Sequence, residues 1–142
     1  MIKITPVYTA EALNTGGRRG HVRTSDGIID TDVAMPTTMG GTGNKPNPEL
    51  FFAAGYASCF NGAIGAVAKG RDITGVEVKA LVHFGKSEDG RFGIAVELHV
   101  TLPNLQGEDA KQLVKDAHQV CPYSVATQGN IEVKLFANES AL

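Results

Sequence analysis

Residues 50 to 68, LFFAAGYASCFNGAIGAVA, constrain the fold more than any other segment of this chain. Asn47, Pro48 and Glu49 precede them as a helix N-cap, a proline at the first helical position and an acidic first turn, and Gly70 follows as a stop. The pattern predicts one long helix, apolar around most of its girth. Gly55, Ala57, Gly62, Ala63, Gly65 and Ala66 add little bulk, so other elements can approach it closely on several sides. A helix of this kind has to be buried, and one small domain can hardly cover it. At 142 residues the chain suits a single domain spanning 1–142.

Elements on either side supply part of that cover. Ile4, Val7 and Tyr8 open a β-rich first third, and Arg23-Thr24-Ser25 and Ile28-Ile29-Asp30 flank Asp26-Gly27, a two-residue hairpin signal. MGGTGNKPNP at 39 to 48 cannot hold a regular element and reads as a loop. From Val76 the period changes to two: Val76, Val78, Ala80 and Val82 share one face, and Ile94, Val96, Leu98, Val100 and Leu102 repeat the pattern after the Glu88-Asp89-Gly90 turn. Their polar faces, with His83, Glu97 and His99, are expected to meet solvent. Ala110, Leu113, Val114, Ala117 and Val120 predict a second helix that stops at Cys121, because Pro122 disfavours α geometry before it. Ile131, Val133 and Leu135 form a last strand. The order βββ-α-ββ-α-β describes an α+β fold of antiparallel sheets around a long buried central helix and a second helix.

Charge and cysteine content narrow the function. A net charge of −2, with Arg18-Arg19 as the only basic cluster, offers little to nucleic acid or an anionic membrane. The N-terminus lacks a basic region followed by an apolar one, and no run approaches 18 apolar residues, so the expected location is cytoplasmic. His21, His83, His99 and His118 lack metal-ligand spacing, and Gly41-Thr42-Gly43 with Lys45 lacks the order of a phosphate loop. No bound cofactor or metal is expected. Two cysteines in a reducing compartment are rarely a structural staple, and by number alone they read equally as unrelated buried thiols or as a redox pair.

Their surroundings favour the pair. Cys59 sits among small residues in GYASCFNG, and Cys121 sits at a helix end in HQVCPYS. An attacking cysteine must be a thiolate, yet an unperturbed thiol is only about 3% ionised at pH 7, so a neighbouring cation is required. Arg18 and Arg19, directly after Gly16-Gly17, can be turned inward, although a solvated turn has the same composition. A carboxylate would orient an arginine held there, and Glu49 is a candidate that also satisfies simple helix-dipole complementarity. Met35, Met39, Phe51 and Phe52 read singly as core residues; an apolar entrance to the site would form if they line it.

GGRRG at 16 to 20, NPELFFAAGYASCF at 47 to 60 and AHQVCPYSVATQGN at 117 to 130 together resemble the organic hydroperoxide resistance proteins, within the larger group that holds the osmotically inducible peroxidases. The likeness covers nearly the whole chain. It implies an intertwined homodimer with two active sites at the subunit interface, reducing alkyl and fatty-acid hydroperoxides to alcohols with electrons from lipoylated proteins (dihydrolipoamide). By motif, Cys59 is the peroxidatic residue, Cys121 the resolving one, Arg18 the thiolate-pairing arginine and Glu49 its orienting partner. Val125 and Gln128 depart from the asparagine and arginine common at those positions, which affects detail around Cys121. Osmotically inducible peroxidases share the cysteine pair, and a redox sensor or binding protein whose disulfide signals without turnover is the alternative of a different class.

Helix geometry adds a constraint. Glu49 and Cys59 are ten residues apart, about 15 Å along a helix axis and roughly 80° in azimuth. One arginine can hardly bridge both. Either the chain at Glu49 is not helical, or Arg18 and Glu49 reach Cys59 from the other subunit, and the composite site is the expectation.

Overall fold

The computed structural model describes all residues from 1 to 142, in two compact units, Met1–Pro48 and Glu49–Leu142. The first unit is a three-stranded antiparallel sheet, β1 (Ala12–Thr15), β2 (His21–Thr24) and β3 (Asp30–Asp32), in that spatial order. Its first strand begins later than expected: residues 1 to 11 are exposed and hold no strand, Ile4, Val7 and Tyr8 among them. Apolar residues become a strand only where a neighbour completes the ladder, and Pro6 has no N–H to give. The hairpin between β2 and β3 is also wider than two residues. Thr24 N–H donates to Ile29 O at 2.8 Å, and Asp26 Oδ1 accepts from Thr24 Oγ1 at 2.6 Å and from Ile28 N–H at 3.0 Å. An aspartate that bonds its own turn selects the longer loop.

Across this sheet His21 is held between two carboxylates, Nε2 at 2.6 Å from Asp30 Oδ1 and Nδ1 at 2.8 Å from Asp32 Oδ1. Only the imidazolium can donate both bonds, so the Asp32 bond, then the Asp30 bond, raise the His21 pKa above its ordinary 6.5. With the folded value above the unfolded one, the clamp contributes fully below about pH 6.5 and is lost as pH rises through the folded value. Proton-detected titration of the ring should therefore give a midpoint above 6.5, returning towards it in the Asp30→Asn, Asp32→Asn double variant. A midpoint at or below 6.5 in the parent chain would contradict this clamp.

The second unit opens with α1 (Pro48–Val67) and continues through β4 (Glu77–Lys86), β5 (Phe92–Thr101), α2 (Gly107–Val120), α3 (Pro122–Thr127), β6 (Val133–Ala137) and β7 (Ser140–Ala141). The sheet order is β4-β5-β6-β7. β4 and β5 form the expected antiparallel hairpin, with Val78, Ala80 and Val82 facing Val100, Leu98 and Val96. β6, in contrast, pairs with β5 in parallel, which α2 and α3 make possible as a crossover between them. The wholly antiparallel sheet read from the sequence is corrected there, and α3 and β7 are additional elements. His99 also departs from a solvated face, stacking on Phe136 at 4.2 Å between ring centroids.

Tyr56, Phe60, Ala63 and Ile64 form a buried stripe on α1 and share one core with Val96, Leu98 and Val100 of β5 and Leu113, Val114 and Ala117 of α2. Their spacing of four, three and one puts them on one helix face. Elsewhere α1 is exposed at Leu50, Ala54, Gly62, Gly65 and Ala66. An 18-residue window of α1 has a mean hydropathy of 1.4, long and apolar enough by composition to cross a membrane. Counting uninterrupted apolar residues had concealed this. The buried stripe belongs to the core just described.

Candidate functional site: the cysteine pair

Cys59 lies on α1, one residue before Phe60 of the core stripe, and is half-buried. Cys121 is fully buried at the joint between α2 and α3. Its N–H still bonds Ala117 O at 2.9 Å, which ends α2 as a helix. A ψ of 121° then turns the chain out of the helix, and Pro122 starts α3, as the restriction before proline demands. The turn delivers Cys121 Sγ to 3.5 Å from Cys59 Sγ. Residues 62 positions apart in sequence thus meet in sulfur contact.

Cys121 Sγ–H points at the Cys59 sulfur. Burial raises the Cys59 pKa above its ordinary value, Tyr123 N–H donates to the sulfur and lowers it, and Cys121 raises it through the sulfur contact and electrostatically. The upward effects win, and the Cys59 pKa lies above its ordinary value.

α3 is fastened to α1 by a buried set of hydroxyls. Tyr56 Oη is 2.9 Å from Ser124 Oγ and 3.1 Å from Thr127 Oγ1, and Thr127 Oγ1 donates to Tyr123 O at 2.9 Å. With the Thr127 proton committed to a carbonyl, Thr127 accepts from Tyr56 and Tyr56 accepts from Ser124, which satisfies all three oxygens. Leaving such a buried group unpaired costs about 1–3 kcal/mol. The Tyr123 ring lies over Gly55: a Cβ there would stand 2.8 Å from Tyr123 Oη and 3.2 Å from two ring carbons. Phe52 and Tyr56 complete an aromatic group, with centroids 6.0 and 5.6 Å from that of Tyr123. On α2, His118 Nδ1 is buried with no hydrogen-bond partner, and burial lowers the His118 pKa.

The other residues singled out from sequence fall as follows. Arg18 is half-buried and Arg19 exposed in a 3₁₀ turn, Gly17–Arg19, between β1 and β2. Asn14 staples that turn, accepting from Gly17 N–H at 3.0 Å and donating to Gly17 O and His21 O, each at 3.1 Å. Glu49 is helical, in the first turn of α1, so the alternative of a non-helical chain there is excluded and its separation of about 15 Å from Cys59 along the axis stands. Met35 lines a cavity of about 780 Å³ in the first unit with Thr15, Arg19, His21 and Lys45. Met39 is half-buried in the turn Thr37–Met39. Phe51 and Phe52 are half-buried on α1, and Phe52 joins the aromatic group near the cysteines. Val125 and Gln128 are exposed. Sequence reasoning missed Tyr56, Ser124 and Thr127; the available signal was hydroxyls three apart in a short post-proline helix and a lone phenol among small residues.

The OsmC-like protein family matches residues 41–136. The chain is similar to organic hydroperoxide resistance protein OhrB of Bacillus subtilis, 47% identical over 131 residues, covering 91% of this chain and 96% of the relative. A similar protein in Xanthomonas axonopodis pv. citri, named organic hydroperoxide resistance protein, is 45% identical over 133 residues, 91% of this chain and 93% of its own. Among solved structures, an organic hydroperoxide resistance protein from Elizabethkingia anophelis superposes with a TM-score of 0.86 at 45% identity, covering 94% of this chain and 97% of the other.

Proposed function

This chain belongs to the OsmC-like family, among its organic hydroperoxide resistance proteins, and from that premise we propose that it is a two-cysteine thiol peroxidase reducing alkyl and fatty-acid hydroperoxides to alcohols. The observation that carries the reading is the 3.5 Å contact between Cys59 and Cys121. The Cys59 thiolate attacks the hydroperoxide oxygen, the O–O bond breaks, and the alkoxide leaves and takes a proton to become the alcohol. Cys59 is left as a sulfenic acid. The Cys121 sulfur attacks it, a disulfide forms, and hydroxide leaves with the Cys121 proton as water. A lipoyl dithiol then reopens the disulfide by two thiol exchanges. Without the condensation with Cys121 the sulfenic acid would climb towards sulfinic acid.

Arg18 is the proposed cation and Glu49 its orienting carboxylate. A thiol held about two pKa units below its ordinary value, roughly 2.7 kcal/mol, is mostly thiolate at neutral pH, and the cation must also offset the upward effect of burial. Because nucleophilicity falls with pKa, ionisation alone yields at most a few tens of fold, and the larger service of the guanidinium is to stabilise the departing alkoxide. We assign Met35, Met39, Phe51 and Phe52 to the substrate entrance, where each buried methylene contributes about 0.8 kcal/mol. A homodimer with composite sites is supported by the uncovered face of α1 and by exposed apolar residues such as Leu50 and Phe92. The chain is assigned to the cytoplasm.

Turnover tests the reading. Purified protein with cumene hydroperoxide, lipoamide, lipoamide dehydrogenase and NADH should consume NADH continuously, and faster than with hydrogen peroxide. Stoichiometric thiol loss without lipoamide-dependent NADH consumption would instead make the disulfide a signal, as in a redox sensor.

A further inference from the structure

We propose that Tyr56 is a positioning residue for disulfide formation, its buried hydroxyl clamping α3 to α1 so that Cys121 is held at attack distance from Cys59. The inference rests on the reading of Cys59 as peroxidatic and Cys121 as resolving.

Cys121 sits at a joint where the chain leaves helical geometry. On one side the bond from its N–H to Ala117 O ties it to α2. On the other side stands α3, six residues long, too short to hold its shape or place by its own backbone bonds. Beside the packing of Tyr123 over Gly55, Tyr56 ties α3 to α1 by hydrogen bonds: both of its hydroxyl contacts go to α3 residues, Ser124 and Thr127. Tyr56, Ser124 and Cys121 are fully buried, so water is not at hand to replace a broken bond.

Closure requires the sulfurs to move from 3.5 Å to a bonded distance of about 2.0 Å. A near-attack separation of this kind is where orientation contributes most to rate. The step competes with a second hydroperoxide, which would transfer oxygen to the sulfenic acid, giving sulfinic acid and another alcohol. Tyr56 therefore governs the partition between recycling and over-oxidation, acting on disulfide formation far more than on the first oxidation of Cys59.

Tyr56→Phe removes the oxygen and keeps the ring. Rapid mixing with cumene hydroperoxide, followed by mass spectrometry of quenched samples, separates sulfenic acid, disulfide and sulfinic acid. Sulfenic acid should form within twofold of the parent rate, disulfide should form about tenfold more slowly, and the hydroperoxide dose giving half over-oxidation should fall by about the same factor. Ser124→Ala and Thr127→Val should each move the partition part of the way, and together as far as Tyr56→Phe. Should Tyr56→Phe fold poorly, those two variants carry the same test. Disulfide formation at the parent rate with an unchanged half-dose in all of them would overturn the clamp. Absence of any Cys59 to Cys121 disulfide in the parent protein would overturn it together with the reading beneath it, and that outcome is seen before any variant is made.

Discussion

Cys59→Ser is expected to lose hydroperoxide reduction by at least about a thousandfold, because a serine hydroxyl at neutral pH is neither ionised nor a comparable nucleophile, and no other step can start. Its counterpart, Cys121→Ser, should consume one equivalent of cumene hydroperoxide at a near-parent rate and then, without turning over, up to two more slowly as Cys59 gains two further oxygens. The contrast assigns the roles. The two thiols lie 3.5 Å apart, so distance alone does not say which attacks, but exposure does: Cys59 is half-buried and Cys121 wholly buried. A hydroperoxide reaches the first more easily. Counting thiols and resolving product masses after a single addition checks both variants, and full activity in Cys59→Ser would reverse the order.

Gly20→Ala is expected to reduce kcat/KM for cumene hydroperoxide by about a hundredfold, comparable to Arg18→Gln, the loss typical of removing one group that stabilises developing charge. A methyl at Gly20 would stand 1.7 Å from Thr15 O and 2.7 Å from Gly16 Cα. No rotamer relieves a clash with backbone, so the turn between β1 and β2 must open, and Arg18 moves with it. Thr15 pairs with His21 at the end of that ladder, so the sheet of the first unit is loosened as well. Thermal unfolding followed alongside activity separates the two effects: a chain that remains folded but has lost activity places the defect in the turn. Parent activity in Gly20→Ala would break the link between that turn and catalysis.

Much of the fold was legible where one element carries its own signal. The Asn47-Pro48-Glu49 start placed α1 within a residue or two of its true bounds, because N-terminal signals are local. The alternation from Val76 to Leu102 located the β4 and β5 hairpin and its core face for the same reason. Ile4, Val7 and Tyr8 misled, since they have no partner strand in the sheet. β6 misled differently: its residues read correctly as a strand, but whether a strand lies parallel or antiparallel depends on where the preceding helices return the chain.

The candidate site divides along the same line. From sequence alone came the two cysteines, the expectation of a cation beside Cys59, the spacing that keeps Glu49 about 15 Å along the helix from it, and a long helix apolar around most of its girth. Each of these follows from residue type and a single helical repeat. Tertiary structure alone decided that Cys121 meets Cys59 in sulfur contact, that burial raises the Cys59 thiol pKa despite a backbone N–H aimed at it, and that Tyr56 fastens the segment carrying the partner thiol. Those depend on a turn at Cys121 and on hydroxyls brought together from 68 and 71 residues apart, distances over which no local pattern in the chain carries information.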